Sequence, residues 1–138
     1  MNILFLGDIV GNSGCIAVKE YLPKIIKDKS IDFVVANGEN AAKEGVGITE
    51  NITNELLSSG VDVITTGNHV WDQKETYDFI SNQSRLLRPE NMFKPSPGKG
   101  FEIYNLKNGI KIGVLNLMGN VFMKKCDDVF VTAQKFIV

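Results

Sequence analysis

The chain has 138 residues, of which 43% are hydrophobic and 22% charged, with a formal net charge of -1. These values are typical of one soluble globular domain large enough to bury a core, so we treat residues 1–138 as a single domain. There is no basic excess to indicate nucleic acid as a partner and no acidic tract to indicate disorder. No stretch approaches the roughly 18 apolar residues of a membrane span, which argues against a membrane partner.

The N-terminal segment and the cysteines both favour a cytoplasmic location. The N-terminal apolar run is interrupted by Gly7 and Asp8, and no positively charged region precedes it, so it is a poor signal peptide. Cys15 and Cys126 lie far apart in sequence, which fits free thiols in a reducing cytoplasm better than a disulfide framework. The first turn of a helix would lower the pKa of Cys15, but a small buried side chain is the simpler interpretation.

The chain begins with a strand pattern and then a helix pattern. Residues 3–6 form a short apolar run ended by Gly7, which predicts a buried strand of the parallel type, apolar on both faces. Ser13 is a plausible N-cap for the helix that follows, whose apolar residues recur at helical spacing. Pro23 lies inside this helix and should kink it or break it in two.

Two more strand patterns follow, at residues 32–36 and 61–65, each with a helix pattern after it. Thr49 is the predicted cap of the first of these helices, which Gly60 stops, and Asp72 is the predicted cap of a short helix through about residue 80. The strand–helix alternation predicts an α/β fold with a parallel sheet.

The second half of the chain changes character. A long loop is marked by Pro89, Pro95, Pro97 and Gly98. Residues 101–106 and 110–117 then flank Asn108-Gly109, which predicts a β-hairpin. Residues 127–138 resemble the start of a further helix.

Polar side chains follow each of the three predicted parallel strands. Each strand ends in a glycine followed at once by polar residues: Gly7-Asp8, Gly38-Glu39-Asn40 and Gly67-Asn68-His69. Because ligands of open parallel sheets bind outside the carboxyl ends of the strands, we expect these side chains to converge on one crevice. Each motif by itself also fits a polar turn, since Asp and Asn readily bond their own backbone there.

The converging side chains have the chemistry of a two-metal site. Carboxylate and amide oxygens suit Mg²⁺, Mn²⁺ or iron, and Glu39 is the natural candidate to bridge two ions. Two such ions clamp a phosphoryl group and generate a hydroxide nucleophile. His69, the only histidine, could then stabilise the phosphoryl oxygens or protonate the leaving group. Arg85 and Arg88 could meet a phosphate, although two isolated arginines do not by themselves indicate one.

Longer stretches of the sequence resemble a known family over nearly the whole chain. These stretches are FLGDIVGNSG, VVANGENAAKEGVGIT, ITTGNHVWDQKE and RPENMFKPSPGKGF. They resemble the YmdB-like branch of the calcineurin-like metallophosphoesterases, a branch of cyclic-nucleotide phosphodiesterases. The resemblance implies a four-layer αββα sandwich, of which this chain is the N-terminal portion. It also implies a dinuclear centre of divalent ions, with iron or manganese ahead of magnesium, and hydrolysis of 2′,3′- or 3′,5′-cyclic nucleotides.

The resemblance implies a role for each matching position. Asp8 would bind one metal, and Glu39 would bridge both. Asn40 and Asn68 would bind the second metal, and His69 would be the general acid.

Two departures from the wider family pattern stand out. The superfamily begins with an Asp-x-His block, but Ile9-Val10 follows Asp8, a change that the YmdB-like branch shares. Family members also continue for roughly as long again, and their remaining metal ligands are histidines in that further half. We therefore expect a truncated domain that is weak or inactive alone and exposes an apolar face. A complementing C-terminal fragment or a second copy would be its partner.

Two other interpretations of the same residues remain open. Gly7, Gly11 and Gly14 follow a strand and open a helix, as in a dinucleotide-binding turn. Against that, Asp8 would repel a pyrophosphate, and Glu39 lies later than the acidic residue of that fingerprint. Alternatively, the chain is a non-catalytic remnant that acts as a binding or regulatory module.

Overall fold

The computed structural model describes residues 1–92 and 95–137. Phe93 and Lys94, inside the RPENMFKPSPGKGF stretch, and Val138, the predicted end of the last helix, lie outside the described residues. The elements in chain order are β1 (Ile3–Val10), α1 (Gly11–Lys29), β2 (Phe33–Asn40), α2 (Glu50–Ser58), β3 (Val63–Thr65), a 3-10 turn (Asn68–Trp71), α3 (Thr76–Phe79), a 3-10 turn (Ile80–Asn82), β4 (Leu86–Leu87), β5 (Phe101–Asn105), β6 (Lys111–Leu115) and α4 (Val129–Gln134).

The strands form two sheets. A four-stranded sheet has the order β1-β2-β3-β4 with every neighbouring pair parallel, and β5 and β6 form an antiparallel hairpin. The predicted α/β class, with parallel strands plus a hairpin, is therefore confirmed. The hairpin turn has Gly109 at φ 83°, the left-handed region that glycine favours.

One face of the parallel sheet packs against the helices, and we call it the helix-side face. It is lined by Val34, Ala36, Ile64 and Leu86, which share a buried cluster with α1 and α2. Thr49 caps α2 as predicted, because its hydroxyl accepts a hydrogen bond from the Ile52 N–H at 3.2 Å. This face forms the larger part of the core.

The opposite face, which we call the hairpin-side face, packs against β5 and β6. Its buried members are Phe33, Val35, Val63 and Leu87, and the Phe33 ring lies 5.6 Å from that of Tyr104. The outer face of the hairpin carries Phe101, whose ring centroid lies 4.9 Å from that of Phe136. Helices, parallel sheet and hairpin thus form successive layers, as expected for a sandwich of this class.

Strand β1 differs from its prediction. It was expected to be buried on both faces, but it is an edge strand, and Ile3 and Phe5 are 49% and 63% exposed. Their partners in register are Phe33 and Val35, so both side chains lie on the hairpin-side face. The apolar cluster beneath the hairpin includes residues of β2, β3 and β4 but none of β1, which leaves this end of the face open.

Two local predictions, and one half of a third, were wrong. Helix α1 is not broken in two at Pro23, which lies on its exposed side, where the carbonyl left without a partner can face water. Ser13 is not its cap, because the helix already begins at Gly11. Asp72 is not the N-cap of the next helix, because α3 begins later, at Thr76; it instead follows the 3-10 turn Asn68–Trp71 as its C-cap.

The strand ends also differ from their predictions. Strand β1 continues through Gly7 and Asp8, and β2 continues to Asn40, because both remain paired beyond the glycines. Strand β4, only two residues long, was not predicted. Within the described residues, no helix is both long and apolar enough to cross a membrane.

Candidate metal centre

Asp8 and Asn40 meet where β1 and β2 end. The pairing of the two strands shifts on both sides of Asp8, which aligns with Asn37, while Val10 aligns with Asn40. Such irregularities redirect side chains near sites. The Asn40 amide donates to both Asp8 carboxylate oxygens, from Nδ2 to Oδ1 at 3.1 Å and to Oδ2 at 2.9 Å. Because the amide nitrogen faces Asp8, the amide oxygen of Asn40 is the atom that would serve a metal.

Glu39 leans across to the end of β3. A Cβ atom added at Gly67 would collide with Glu39 Oε2, so the carboxylate occupies the space that any other residue there would need. Glu39 Oε1 accepts a hydrogen bond from the His69 backbone N–H at 3.2 Å. The Glu39 N–H in turn donates to Asn37 Oδ1 at 2.9 Å. The glycine is therefore a steric requirement for this placement of Glu39.

His69 lies in the 3-10 turn that follows β3. Asn68 opens this turn, directly beside His69. His69 Nδ1 lies 2.6 Å from Asp72 Oδ2, and the Asp72 N–H donates to the His69 carbonyl at 3.0 Å. Asp72, which the sequence suggested only as a helix cap, is thus a neighbour of the candidate acid.

The loop after β2 supports the His69 turn. Gly47 has φ 77°, and a Cβ added there would lie 3.1 Å from the His69 carbonyl oxygen. Gln73 Nε2 donates to the Val46 carbonyl at 2.9 Å. The glycine-containing loop thus packs closely against the turn that carries His69.

Asn116 is a supporting residue that the sequence analysis missed. It is buried, and its Nδ2 donates to the carbonyls of Thr66 and Leu87 at 2.8 and 2.9 Å. It therefore ties the end of β6 to the ends of β3 and β4, next to Gly67. Its 50-residue separation from Thr66 gives no local sequence signal.

The two arginines do not join the site. Arg88 is buried, and its guanidinium donates to the carbonyls of Pro97 and Pro89 at 3.0 and 2.9 Å, which indicates a structural role. Arg85 precedes β4 and lines a groove with Asp32 and Asp62 at the amino ends of the strands. It therefore lies at the opposite end of the sheet from the candidate site.

Cys15 is a core side chain, as the simpler interpretation predicted. Its thiol is buried and lies 3.4 Å from the Ala41 carbonyl. Burial, with a smaller contribution from the Glu55 charge, raises the pKa of the Cys15 thiol. The alternative expectation, a pKa lowered by the helix, is therefore wrong, because loss of solvation dominates.

The predicted site residues thus occur as two neighbouring groups at one edge of the sheet. Asp8 contacts Asn40, and Glu39 contacts the backbone of His69, with Asn68 adjacent. Within residues 1–92 and 95–137, no three His, Cys, Asp or Glu side chains cluster closely enough to hold a metal ion. The donors that the chain does bring together are carboxylate and amide oxygens, which fit a hard divalent cation.

Comparisons with known proteins match nearly the whole chain. The family model described as YmdB-like protein matches residues 4–138. A 2′,3′-cyclic-nucleotide 2′-phosphodiesterase of Bacillus subtilis is 47% identical over 137 residues, which span 99% of this chain and 51% of that protein.

Two solved structures are similar in fold. A hypothetical protein from Thermus thermophilus superposes with a TM-score of 0.89 at 37% identity, covering 99% of this chain and 52% of that one. A novel phosphatase of Mycoplasma pneumoniae gives 0.88 at 28% identity, covering 97% and 49%. The chain therefore spans about half the length of the relatives that it matches.

Proposed function

Because the chain belongs to the YmdB-like protein family, we propose that it carries half of a dinuclear metal site that hydrolyses phosphodiesters. The substrate class would be cyclic nucleotides, 2′,3′ or 3′,5′, a choice supported by the name of the Bacillus subtilis relative. The observation that carries the proposal is the convergence of the Asp8–Asn40 contact and the Glu39–His69 contact on one edge of the sheet.

Each converging residue has a role in this proposal. Asp8 would hold one metal, Asn40 and Asn68 the second, and Glu39 both. When bound, iron, manganese or magnesium would polarise the phosphoryl group and supply a hydroxide nucleophile. His69 would donate a proton to the leaving oxygen. Its backbone N–H, bonded to Glu39, would keep it beside the bridging carboxylate.

The proposal includes a partner, because the ligand set is short. Two octahedral ions need about twelve coordination positions, more than four side chains with shared water can fill. A complementing C-terminal polypeptide, or a second copy of this chain, would supply the remaining ligands. The exposed Ile3 and Phe5 side chains support such a partner, since apolar groups at an open sheet edge favour association.

The location is also part of the proposal. We place the chain in the cytoplasm, where a reducing environment would keep Cys15 and Cys126 as free thiols.

The test compares the chain alone with the chain mixed with a second polypeptide. That polypeptide is the portion of the Bacillus subtilis relative outside the matched residues. Bound manganese is measured after dialysis, and turnover is measured on 2′,3′-cyclic AMP and on a generic aryl phosphodiester. We expect weak metal binding and background turnover alone, and metal-dependent hydrolysis by the mixture. Glu39→Gln should lower the mixture's turnover by roughly 100-fold, as loss of a metal-orienting group does.

Two results would contradict parts of this proposal. Tight binding of two metals with brisk turnover by the chain alone would overturn the idea of a half site. A stable complex of the two halves that binds no metal would instead favour the alternative function, a non-catalytic binding or regulatory module.

A dinucleotide-binding function has less support. That alternative needs a tight turn directly after Gly7, but β1 continues to Val10. Asp8, held by Asn40 at the same edge, would face the pyrophosphate with a negative charge.

A further inference from the structure

We propose that Asp72 is a positioning residue that holds the His69 imidazole as the Nδ1–H tautomer and directs Nε2 away from the turn toward the phosphoester. The inference deepens the proposed function, since it concerns the residue proposed there as the acid. It rests first on the 2.6 Å separation of His69 Nδ1 and Asp72 Oδ2, which is short for a nitrogen–oxygen hydrogen bond.

The backbone explains why these two side chains meet. They are three residues apart: His69 lies in the 3-10 turn Asn68–Trp71, and Asp72 directly follows the turn as its C-cap. Side chains at i and i+3 of such a turn lie over one another. The Asp72 N–H closes the same turn on the His69 carbonyl at 3.0 Å. The contact is therefore built into a turn of fixed geometry and does not depend on long mobile side chains.

The chemistry of the pair determines which nitrogen carries the proton. A carboxylate only accepts hydrogen bonds, so the imidazole nitrogen that faces it must be the N–H. In the neutral ring this leaves Nε2 as the acceptor, and in the charged ring Nε2–H is the donor available to a substrate. A carboxylate that fixes the other nitrogen is the usual way in which proteins orient an imidazole.

A second carboxylate, that of Glu39, is bonded to the backbone of His69. Glu39 Oε1 accepts the His69 backbone N–H at 3.2 Å, while Asp72 holds the ring. The backbone of His69 is thus bonded to the proposed bridging ligand, and Nδ1 of its ring is bonded to Asp72. The side chains of His69 and Asp72 are 37% and 46% exposed, so as an ion pair they would contribute little to stability. Orientation of the ring is the role that remains.

The single histidine of the chain makes the test direct. In protein labelled with ¹⁵N-histidine, the shifts of Nδ1 and Nε2, measured where the ring is neutral, identify the tautomer without overlapping signals. We expect the Nδ1–H form in the wild-type chain. Asp72→Ala should shift the population toward the Nε2–H form that predominates in unconstrained histidine. Asp78→Asn, an exposed carboxylate six residues further on, is the matched control and should change nothing.

A kinetic measurement on the reconstituted mixture gives the second readout. Asp72→Asn should lower kcat by about tenfold and leave KM nearly unchanged, because substrate binding does not use this group. Combined with His69→Ala, it should cause no further loss. An Nε2–H tautomer in the wild type, or no change in Asp72→Ala, overturns the inference. If the mixture is inactive, the proposed function fails, while the tautomer result still decides the role of Asp72.

Discussion

The two faces of the parallel sheet differ in how completely this chain covers them. On the helix-side face, Val34, Ala36 and Ile64 are each 1% exposed or less. On the hairpin-side face the cover is uneven, since Val63 and Leu87 are fully buried but the β1 residues Ile3 and Phe5 are 49% and 63% exposed. The helices of this chain are sufficient for one face, whereas the hairpin covers only part of the other.

One residue of the candidate site, Glu39, lies on the less completely covered face. A Cβ at Gly38 would touch Ile64 and Leu56 of the helix-side cluster, so the next residue, Glu39, points to the hairpin side. The helix-side core stabilises the fold, whereas the face on which Glu39 lies has exposed apolar side chains at β1.

The largest effect should come from truncating the helix-side core. Leu56 is 1% exposed, so Leu56→Ala should lower the free energy of unfolding by about 2–5 kcal/mol, through lost burial and an unfilled cavity. Phe5→Ala removes a larger side chain that is 63% exposed, and it should change the free energy of unfolding by about 0.5 kcal/mol or less. Urea denaturation followed by far-UV circular dichroism measures both values.

The same pair of variants sharpens the comparison when the further half of the Bacillus subtilis relative is added. Phe5→Ala should then weaken association of the two polypeptides, because we expect the exposed Phe5 side chain to become buried in the complex. Equal stability losses for Leu56→Ala and Phe5→Ala in the isolated chain would show that the two faces do not differ as described.

The next effect concerns the polar link between hairpin and parallel sheet. Asn116→Ala removes two buried hydrogen bonds, to the carbonyls of Thr66 and Leu87. We expect a loss of about 1–3 kcal/mol in the free energy of unfolding, because buried carbonyls lose a donor. Asn105→Ala, at an exposed hairpin position, is the control and should change stability by about 0.5 kcal/mol or less. A neutral Asn116→Ala would mean that these two hydrogen bonds do not stabilise the attachment of the hairpin.

A smaller effect is expected at the ligands themselves. Gly67→Ala would place a Cβ in collision with Glu39 Oε2, which forces the carboxylate away from the His69 turn. Manganese affinity, measured by titration calorimetry on the reconstituted mixture, should fall by about tenfold, or 1.4 kcal/mol. Gly119→Ala has open space around its new Cβ and should leave the affinity unchanged. Unaltered affinity in Gly67→Ala would argue that Glu39 is not a metal ligand.

The local features of this fold were readable from sequence. The Thr49 cap depends on residues three positions apart, and the hairpin depends on Asn108-Gly109 and the strand patterns beside it. The parallel order followed from strand–helix alternation. The resemblance and the strand-end glycines together predicted which polar residues share the edge of the sheet.

The features that were missed depend on distant contacts or on very short elements. Strand β4 has only two residues, too few to show a periodic pattern. Asn116 looks like an ordinary polar residue until the fold brings it to Thr66, and Asp72 resembles a helix cap by sequence alone. The exposure of β1 could not be predicted from its apolar residues. An apolar sequence shows that a strand could be buried, but it does not show whether another element packs over it.

The smallest effect tests the helix-side face by pH. Burial raises the pKa of the Cys15 thiol above its ordinary value of 9.0, and the Glu55 charge adds to this. A raised folded-state pKa stabilises the fold fully below the unfolded value, and that stabilisation is lost as the pH rises through the folded value. The free energy of unfolding should therefore decline from about pH 8.5 upward. Between pH 7 and 9.5 this decline should be shallower in Cys15→Ala.

Cys126→Ala is the matched variant for this measurement, because burial also raises the pKa of Cys126 but its side chain is only partly buried. The range stops short of the ordinary tyrosine value of 10.0, since burial raises the pKa of Tyr104 and would add a decline of the same sign at higher pH. If Cys126→Ala flattens the pH dependence more than Cys15→Ala does, the Cys15 thiol of α1 is not the more strongly desolvated of the two. The helix-side face would then be less tightly closed than its buried residues indicate.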